Sequence, residues 1–291
     1  MNKMKDYLLR TMTTNKQIRA LAVHSTGVVE EARRAHQTTP VATAALGRTL
    51  TGALLVGSLL KSGYEISLRI TGDGPLNKIV AEANEDGEVR GYVGNPRVEF
   101  MTANNGKLDV GSAIGNGILQ VKKDLGLKDP YEGKVELISG EIGEDLTYYF
   151  TRSEQTPSAV GLGVLIETDL EVKTAGGFLL QMLPEAEEET INKLENNLEE
   201  VSSVSGLFAE GRTPLEVLEI ILEGFDFRIL EEKEVEFNCH CDRGRVRELM
   251  LRLGREELEE TLHQEGKVDI RCHFCNQIYN FSGQEVKRLL A

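Results

Sequence analysis

The sequence predicts an α+β fold in three parts: an N-terminal domain of hairpin-built sheets with helices over residues 1–183, a helical, acidic linker over 184–234, and a small thiol-rich C-terminal domain over 235–291. Three observations predict it. Alternating apolar and polar runs are separated by tight-turn dipeptides and interrupted by helical runs with start signals. From residue 185 to 200, seven glutamates stand against one lysine. All four cysteines of the chain lie in its last fifth.

In chain order, residues 17–25 read as the first strand and 27–37 as a polar helix. Thr39 followed by Pro40 marks a helix start, because a hydroxyl can cap free N–H groups and a proline at the first helical position has none to lose. That helix runs to about residue 60. Its glycines and alanines allow close backbone approach, and Arg48 at its middle argues for a buried helix rather than a membrane span. Residues 64–70 alternate as a strand, and 78–83 with 88–93 flank Asp86-Gly87 as a hairpin. Further strands are expected at 117–122, 133–141, 158–167 and 177–183, while 145–151 suits either a strand or a helix. The glycine-rich stretches 72–75 and 111–117 lack the lysine and hydroxyl of a phosphate loop and read as turns or bulges. His24 and His36 have no evident nucleophile partner, so no enzyme signature stands in this part.

After Pro184 the composition shifts. Ile191, Leu194, Leu198, Val201 and Val204 recur at spacings of three and four, making the apolar stripe of one helix. Thr213-Pro214-Leu215-Glu216 is a capping box that opens a second helix through Leu222. Helices this short are marginal in water, so tertiary contact must hold them. The last part reads as a strand at 235–238, a first cysteine knuckle, helices at 243–253 and 255–263, a strand at 267–271, a second knuckle, a strand, and a helix opened by the capping box Ser282 to Glu285.

Cys239-His240-Cys241 and, thirty residues on, Cys272-His273-Phe274-Cys275 supply two short loops whose sulfurs can converge on one tetrahedral zinc. Three chemistries fit: a fixed disulfide framework, structural zinc, or zinc whose thiolates can also be oxidised. No secretory signal is evident, which disfavours the first and makes a reducing cytoplasm the expected home. A site closed by four sulfurs has no open position for hydrolysis, and His240 and His273 read as bystanders. Spacing does not separate static from oxidisable zinc. With under about sixty residues the domain buries little core, and structural zinc worth roughly 10–16 kcal/mol must make up the balance. The net charge of −14 and pI near 5.0 disfavour nucleic acid as a partner.

The chain resembles the heat shock protein 33 family, redox-regulated holdase chaperones of the bacterial cytoplasm. The likeness runs through residues 36–50 (HQTTPVATAALGRTL), 72–76 (GDGPL), 91–96 (GYVGNP), 155–163 (QTPSAVGLG), 176–184 (GGFLLQMLP) and both cysteine knuckles. It implies no catalytic site and one releasable Zn2+ held by Cys239, Cys241, Cys272 and Cys275 in an inactive reduced state. It implies oxidation of Cys272 with Cys275, then of Cys239 with Cys241, followed by zinc loss, loosening of the linker, homodimerisation and ATP-independent binding of unfolding clients. Phe178, Leu179, Leu180, Leu194, Leu198, Leu218, Ile221 and Leu222 are the candidate client-binding residues, because they would be uncovered together.

Two rival functions belong to other classes. Arg243, Arg245, Arg247, Arg252 and Arg255 suggest a zinc-ribbon nucleic-acid or translation-associated protein, but glutamates at 256–260 cancel most of that charge. A disulfide oxidoreductase would use Cys272 and Cys275, but expects them at a helix N-terminus in a βαβ setting rather than between two strands.

Overall fold

The computed structural model of the chain describes residues 4–99, 102, 108–252 and 255–290, in two units, Met1–Asn238 and Cys239–Ala291. In the larger unit the elements run β1 (Tyr7–Thr13), β2 (Ile18–His24), α1 (Thr26–His36), α2 (Pro40–Gly57), β3 (Glu65–Gly72), β4 (Lys78–Asn84), β5 (Glu88–Val93), α3 (Val110–Ile114), β6 (Gly117–Asp124), β7 (Tyr131–Glu136), α4 (Gly143–Arg152), β8 (Ser158–Ile166) and β9 (Val172–Met182). They continue with α5 (Glu188–Glu199), α6 (Val204–Ala209), α7 (Pro214–Ile221), β10 (Phe227–Glu234) and β11 (Glu236–Phe237). The smaller unit holds α8 (Arg243–Leu251), α9 (Arg255–Glu265), β12 (Lys267–Arg271), β13 (Ile278–Ser282) and α10 (Gly283–Leu290). The α+β class expected from the sequence is the observed one.

Two sheets sandwich α2. One has the order β10-β1-β2-β9-β8, the other β11-β5-β4-β3-β6-β7. Every residue of α2 except Pro40 and Arg48 is buried, because the helix touches β2, β8 and β9 on one side and β3, β4 and β5 on the other. That enclosure explains its small residues: a Cβ on Gly47 would stand 2.6 Å from Val29. Arg48 answers its partial burial with an ion pair to Glu141. Thr39 is the N-cap residue as expected, yet its hydroxyl donates to the Pro96 carbonyl at 3.4 Å instead of capping the helix.

Several elements depart from the sequence reading. β1 and β10 were not foreseen; they pair with each other antiparallel and join the two ends of this unit. β10 is exposed on one face and half-buried on the other, with apolar and charged residues on both, so its sequence carries no clear alternation; β1 and the Arg10–Glu231 ion pair at 2.8 Å hold it. The strand expected at 133–141 ends at Glu136, because the following backbone wraps the buried Asp145 carboxylate, which accepts from the N–H groups of Ile138 at 2.8 Å and Ile142 at 2.9 Å. Asp145 thereby anchors α4, so the ambiguous 145–151 run is helical. The glycine-rich 111–117 stretch is not wholly turn: Asp109 accepts from Ser112 N–H at 2.9 Å and opens the short helix α3.

The single helix expected from Ile191 to Val204 is two. Its stripe breaks after Glu199, and Ser203 restarts a helix by accepting from Gly206 N–H at 3.1 Å. The capping box at Thr213 forms as read, with Thr213 N–H donating to Glu216 Oε2 at 2.7 Å and Glu216 N–H to Thr213 Oγ1 at 3.2 Å. Helices α5, α6 and α7 roof the outer face of the five-stranded sheet. There Leu9, Ile18, Ala20, Ala22, Phe178 and Leu180 meet Leu194, Phe208, Val217, Leu218, Ile221 and Leu222 in one apolar cluster.

In the smaller unit α8 ends its helical run at Leu251, and the expected last residue of that helix, Leu253, lies outside the described residues. The antiparallel pair β12–β13 and the three helices bury Val246, Met250, Leu258, Val268, Tyr279, Phe281 and Val286. Among the described residues, seven buried side chains are a meagre core for a unit of this length. Cys241 and Cys272 pack against it, so the core is continuous with the thiols.

A four-thiol centre in the C-terminal unit

The two knuckles are shaped by the elements that bracket them. After Cys241, Asp242 caps α8, its Oδ1 accepting from Gly244 N–H at 2.6 Å and Arg245 N–H at 2.9 Å, which turns the chain sharply out of the first knuckle. The second knuckle is the turn of the β12–β13 hairpin, closed by Cys272 N–H donating to Gln277 O at 2.9 Å and Asn276 N–H to Cys272 O at 2.8 Å. Asn276 sits there at φ 62°, in the left-handed region that asparagine tolerates.

All four sulfurs lie within 4.8 Å of one another. Cys239 Sγ is 3.7 Å from Cys272 Sγ and Cys241 Sγ is 3.2 Å from Cys275 Sγ, and all four are free thiols. Four sulfurs at about 2.3 Å from one ion stand about 3.8 Å apart, so the spacing and the soft, closed donor set suit a tetrahedral metal of the zinc class. Neither His240 nor His273 belongs to the converging group.

The thiols differ in proton affinity. Burial pushes Cys239 up to about 11 and raises Cys275 as well. Burial also opposes the Cys241 thiolate, but hydrogen bonds from Tyr279 and Cys275 outweigh it and bring Cys241 below an ordinary thiol. Tyr279 Oη lies 3.2 Å from Cys241 Sγ and donates to the Cys241 carbonyl at 3.0 Å. The sequence reading missed this tyrosine; its only signal was an inward position on the strand after the second knuckle, opposite Ile270. Of the arginines near the first knuckle, Arg243 is spent on Glu285, at 2.7 Å, and on the Phe281 ring, whose centroid lies 4.4 Å away.

Seven of the eight candidate client-binding residues share the apolar cluster under the helical roof: Phe178, Leu180, Leu194, Leu218, Ile221 and Leu222 within it and Leu198 packed against it. Leu179 is fully buried outside that cluster. By strand alternation it shares the inner face of β9 with Gly177, whose Cβ would lie 3.1 Å from Thr51 of α2. Reasoning from the run of residues could not split the strand into its two faces; alternation could have.

Comparison with known proteins agrees across the whole chain. The profile of the Hsp33 protein family matches residues 6–282. The 33 kDa chaperonin of Desulforamulus reducens is 46% identical over 287 residues, 99% of this chain and 98% of that protein. That of Clostridioides difficile is 46% identical over 289 residues, 99% of each. Among solved structures, the 33 kDa chaperonin (heat shock protein 33 homolog) of Thermotoga maritima superposes with a TM-score of 0.94 at 41% identity, covering 99% of this chain and 98% of that one. With a family profile, full-length relatives and a solved fold in agreement, the chain belongs to the Hsp33 family of heat shock chaperones.

Proposed function

We propose that the chain is an ATP-independent holdase, inactive while reduced and metal-loaded and switched on by thiol oxidation in the cytoplasm. The observation that carries this reading is the apolar outer face of the five-stranded sheet, roofed by three short helices that precede the four-thiol unit in sequence. Cys239, Cys241, Cys272 and Cys275 would hold one Zn2+, which when bound keeps the sulfurs as thiolates and ties the small core together.

Oxidation withdraws those donors. A peroxide takes two electrons from each thiol pair, leaving one disulfide and two waters, first at Cys272 and Cys275 and then at Cys239 and Cys241. All four sulfurs lie within 4.8 Å of one another, so pairing within each knuckle is in local reach once the ion's hold is lost. Unfolding conditions, by loosening the small unit, would aid that loss. Once the small unit loses its fold, the helical segment before it loosens, the apolar face binds unfolding clients, and the activated chain dimerises. Reductant returns the disulfides to thiols.

Light scattering from an unfolding client tests this. Suppression by the peroxide-treated chain alone is the expected result, with Cys272→Ser/Cys275→Ser removing the dependence on peroxide. Equal suppression by reduced and oxidised chain would overturn the redox switch while leaving the chaperone family intact.

A further inference from the structure

On the outer face of the five-stranded sheet, strand pairing lines up His24 with Gly176 and Gly176 with Gly163, three neighbours across β2, β9 and β8. The adjoining row is Ala22, Phe178 and Gly161. Two of the first three residues have no side chain, which leaves a trough in the sheet between the His24 and Phe178 rings. Helix α6 lies directly in it. A Cβ at Gly176 would stand 2.5 Å from the Phe208 ring, and one at Gly163 would stand 2.4 Å from the Ser205 nitrogen. Phe208 is 3% exposed, with its ring 5.9 Å from that of His24 and tilted by 56°.

The walls of this trough belong to the sheet, not to the helix. His24 Nδ1 is 3.0 Å from Asp6 Oδ1 and its Nε2 is 2.9 Å from Thr26 Oγ1, while Asp6 also accepts from Val28 N–H at 2.7 Å. Departure of α6 therefore leaves the cavity formed, and a pre-formed apolar cavity with an aromatic wall favours a ring over an aliphatic branch.

We propose that this trough is a client subsite that takes a phenylalanine-type ring, carried on a segment with a small residue three positions earlier, and that Phe208 with Ser205 fills it as the chain's own stand-in. The proposal rests on the reading that α6 lifts on activation.

The test uses a fluorescent peptide of residues 203–210 (SVSGLFAE), its counterpart with alanine in place of Phe208, and the full-length chain. The reduced Phe208→Ala variant, with the ring's place emptied and the anchor of α6 removed so that a peptide can displace it, is expected to bind the ring-bearing peptide about tenfold or more tighter than the alanine peptide. No preference, through equal binding or none, overturns the subsite. The oxidised wild-type chain should show the same preference; its absence there, beside a clear preference in reduced Phe208→Ala, leaves the subsite standing and sinks the redox release instead. Should Phe208→Ala fail to fold, Gly176→Ala in the oxidised chain decides, since the added methyl closes the trough and must bring the two peptides to parity. A preference that survives Gly176→Ala overturns the assignment. So does an oxidised dimer that the ring-bearing peptide dissociates, which would make the occupant α6 of a second copy.

Discussion

On its inner side the five-stranded sheet rests on α2, a helix of 18 residues; on its outer side it lies under α5, α6 and α7, of 12, 6 and 8 residues. Both sides bury leucine and valine. The covers differ in independence. α2 is clasped between two sheets and cannot leave without unfolding both, whereas helices below about 12–15 residues are marginal alone and persist only while docked. Equal burial thus gives unequal permanence, and the face that the proposed mechanism uncovers is the one roofed in short pieces. The small unit goes further, since its seven-residue core leans on thiols that a chemical reaction can change.

The largest effect should follow metal removal. If the four thiols hold zinc as proposed, chelation of the reduced chain is expected to unfold residues 239–291, because about 10 kcal/mol or more of binding energy would go with the ion. Circular dichroism should lose the helical signal of α8, α9 and α10 while the melting transition of the larger unit stays. Full retention of that signal would remove the contrast between the units.

Next come matched truncations in α2 and in the helical roof. Leu50→Ala and Leu218→Ala each remove a fully buried leucine, at a cost of about 2–5 kcal/mol. Leu50→Ala should lower the melting temperature of the whole larger unit. Leu218→Ala should instead raise binding of an apolar dye by the reduced chain with little change in global melting. Identical behaviour of the two variants would break the distinction between permanent and reversible covers.

Thr213→Ala takes away the side-chain half of the α7 capping box, worth about 1 kcal/mol. Hydrogen exchange should quicken in α7 and leave α2 unchanged; matching changes in both would mean that the roof and the core open together.

The last contrast is read along the pH axis and belongs to Glu30, which accepts from Arg33 Nε at 2.7 Å and Val172 N–H at 3.1 Å. The Arg33 side chain leads in holding its carboxyl at about 2 against the opposing effect of burial, below the usual 4.5. Because the folded value is the lower one, this stabilisation is complete above pH 4.5 and is lost as the pH falls toward 2. Glu30→Gln should flatten that acid limb in a pH series of melts; an unchanged slope would place the acid sensitivity elsewhere.

Much of this was legible in the residues. The hairpin at Asp86-Gly87, the helix start at Pro40 and the capping boxes at Thr213 and Ser282 are local chemistry, and each stands where it was read. The convergence of the four cysteines was legible from their spacing alone. β1 and β10 were not, since an edge strand of mixed apolar and charged residues owes its existence to a partner more than two hundred residues away. Tyr279 and the Gly163–Gly176 floor were equally hidden, because what they do depends on a neighbour across a strand pair.

By itself the sequence determined the thiol set, the division into a thiol-free larger part and a thiol-rich end, and the shortness of the linker helices, because capping, turn and ligand spacing act over a few residues. Only the tertiary structure decided which face of β9 the helices cover and that Phe208 finds a floor without side chains. Those outcomes depend on strand register and on the packing of distant segments, which no local pattern encodes.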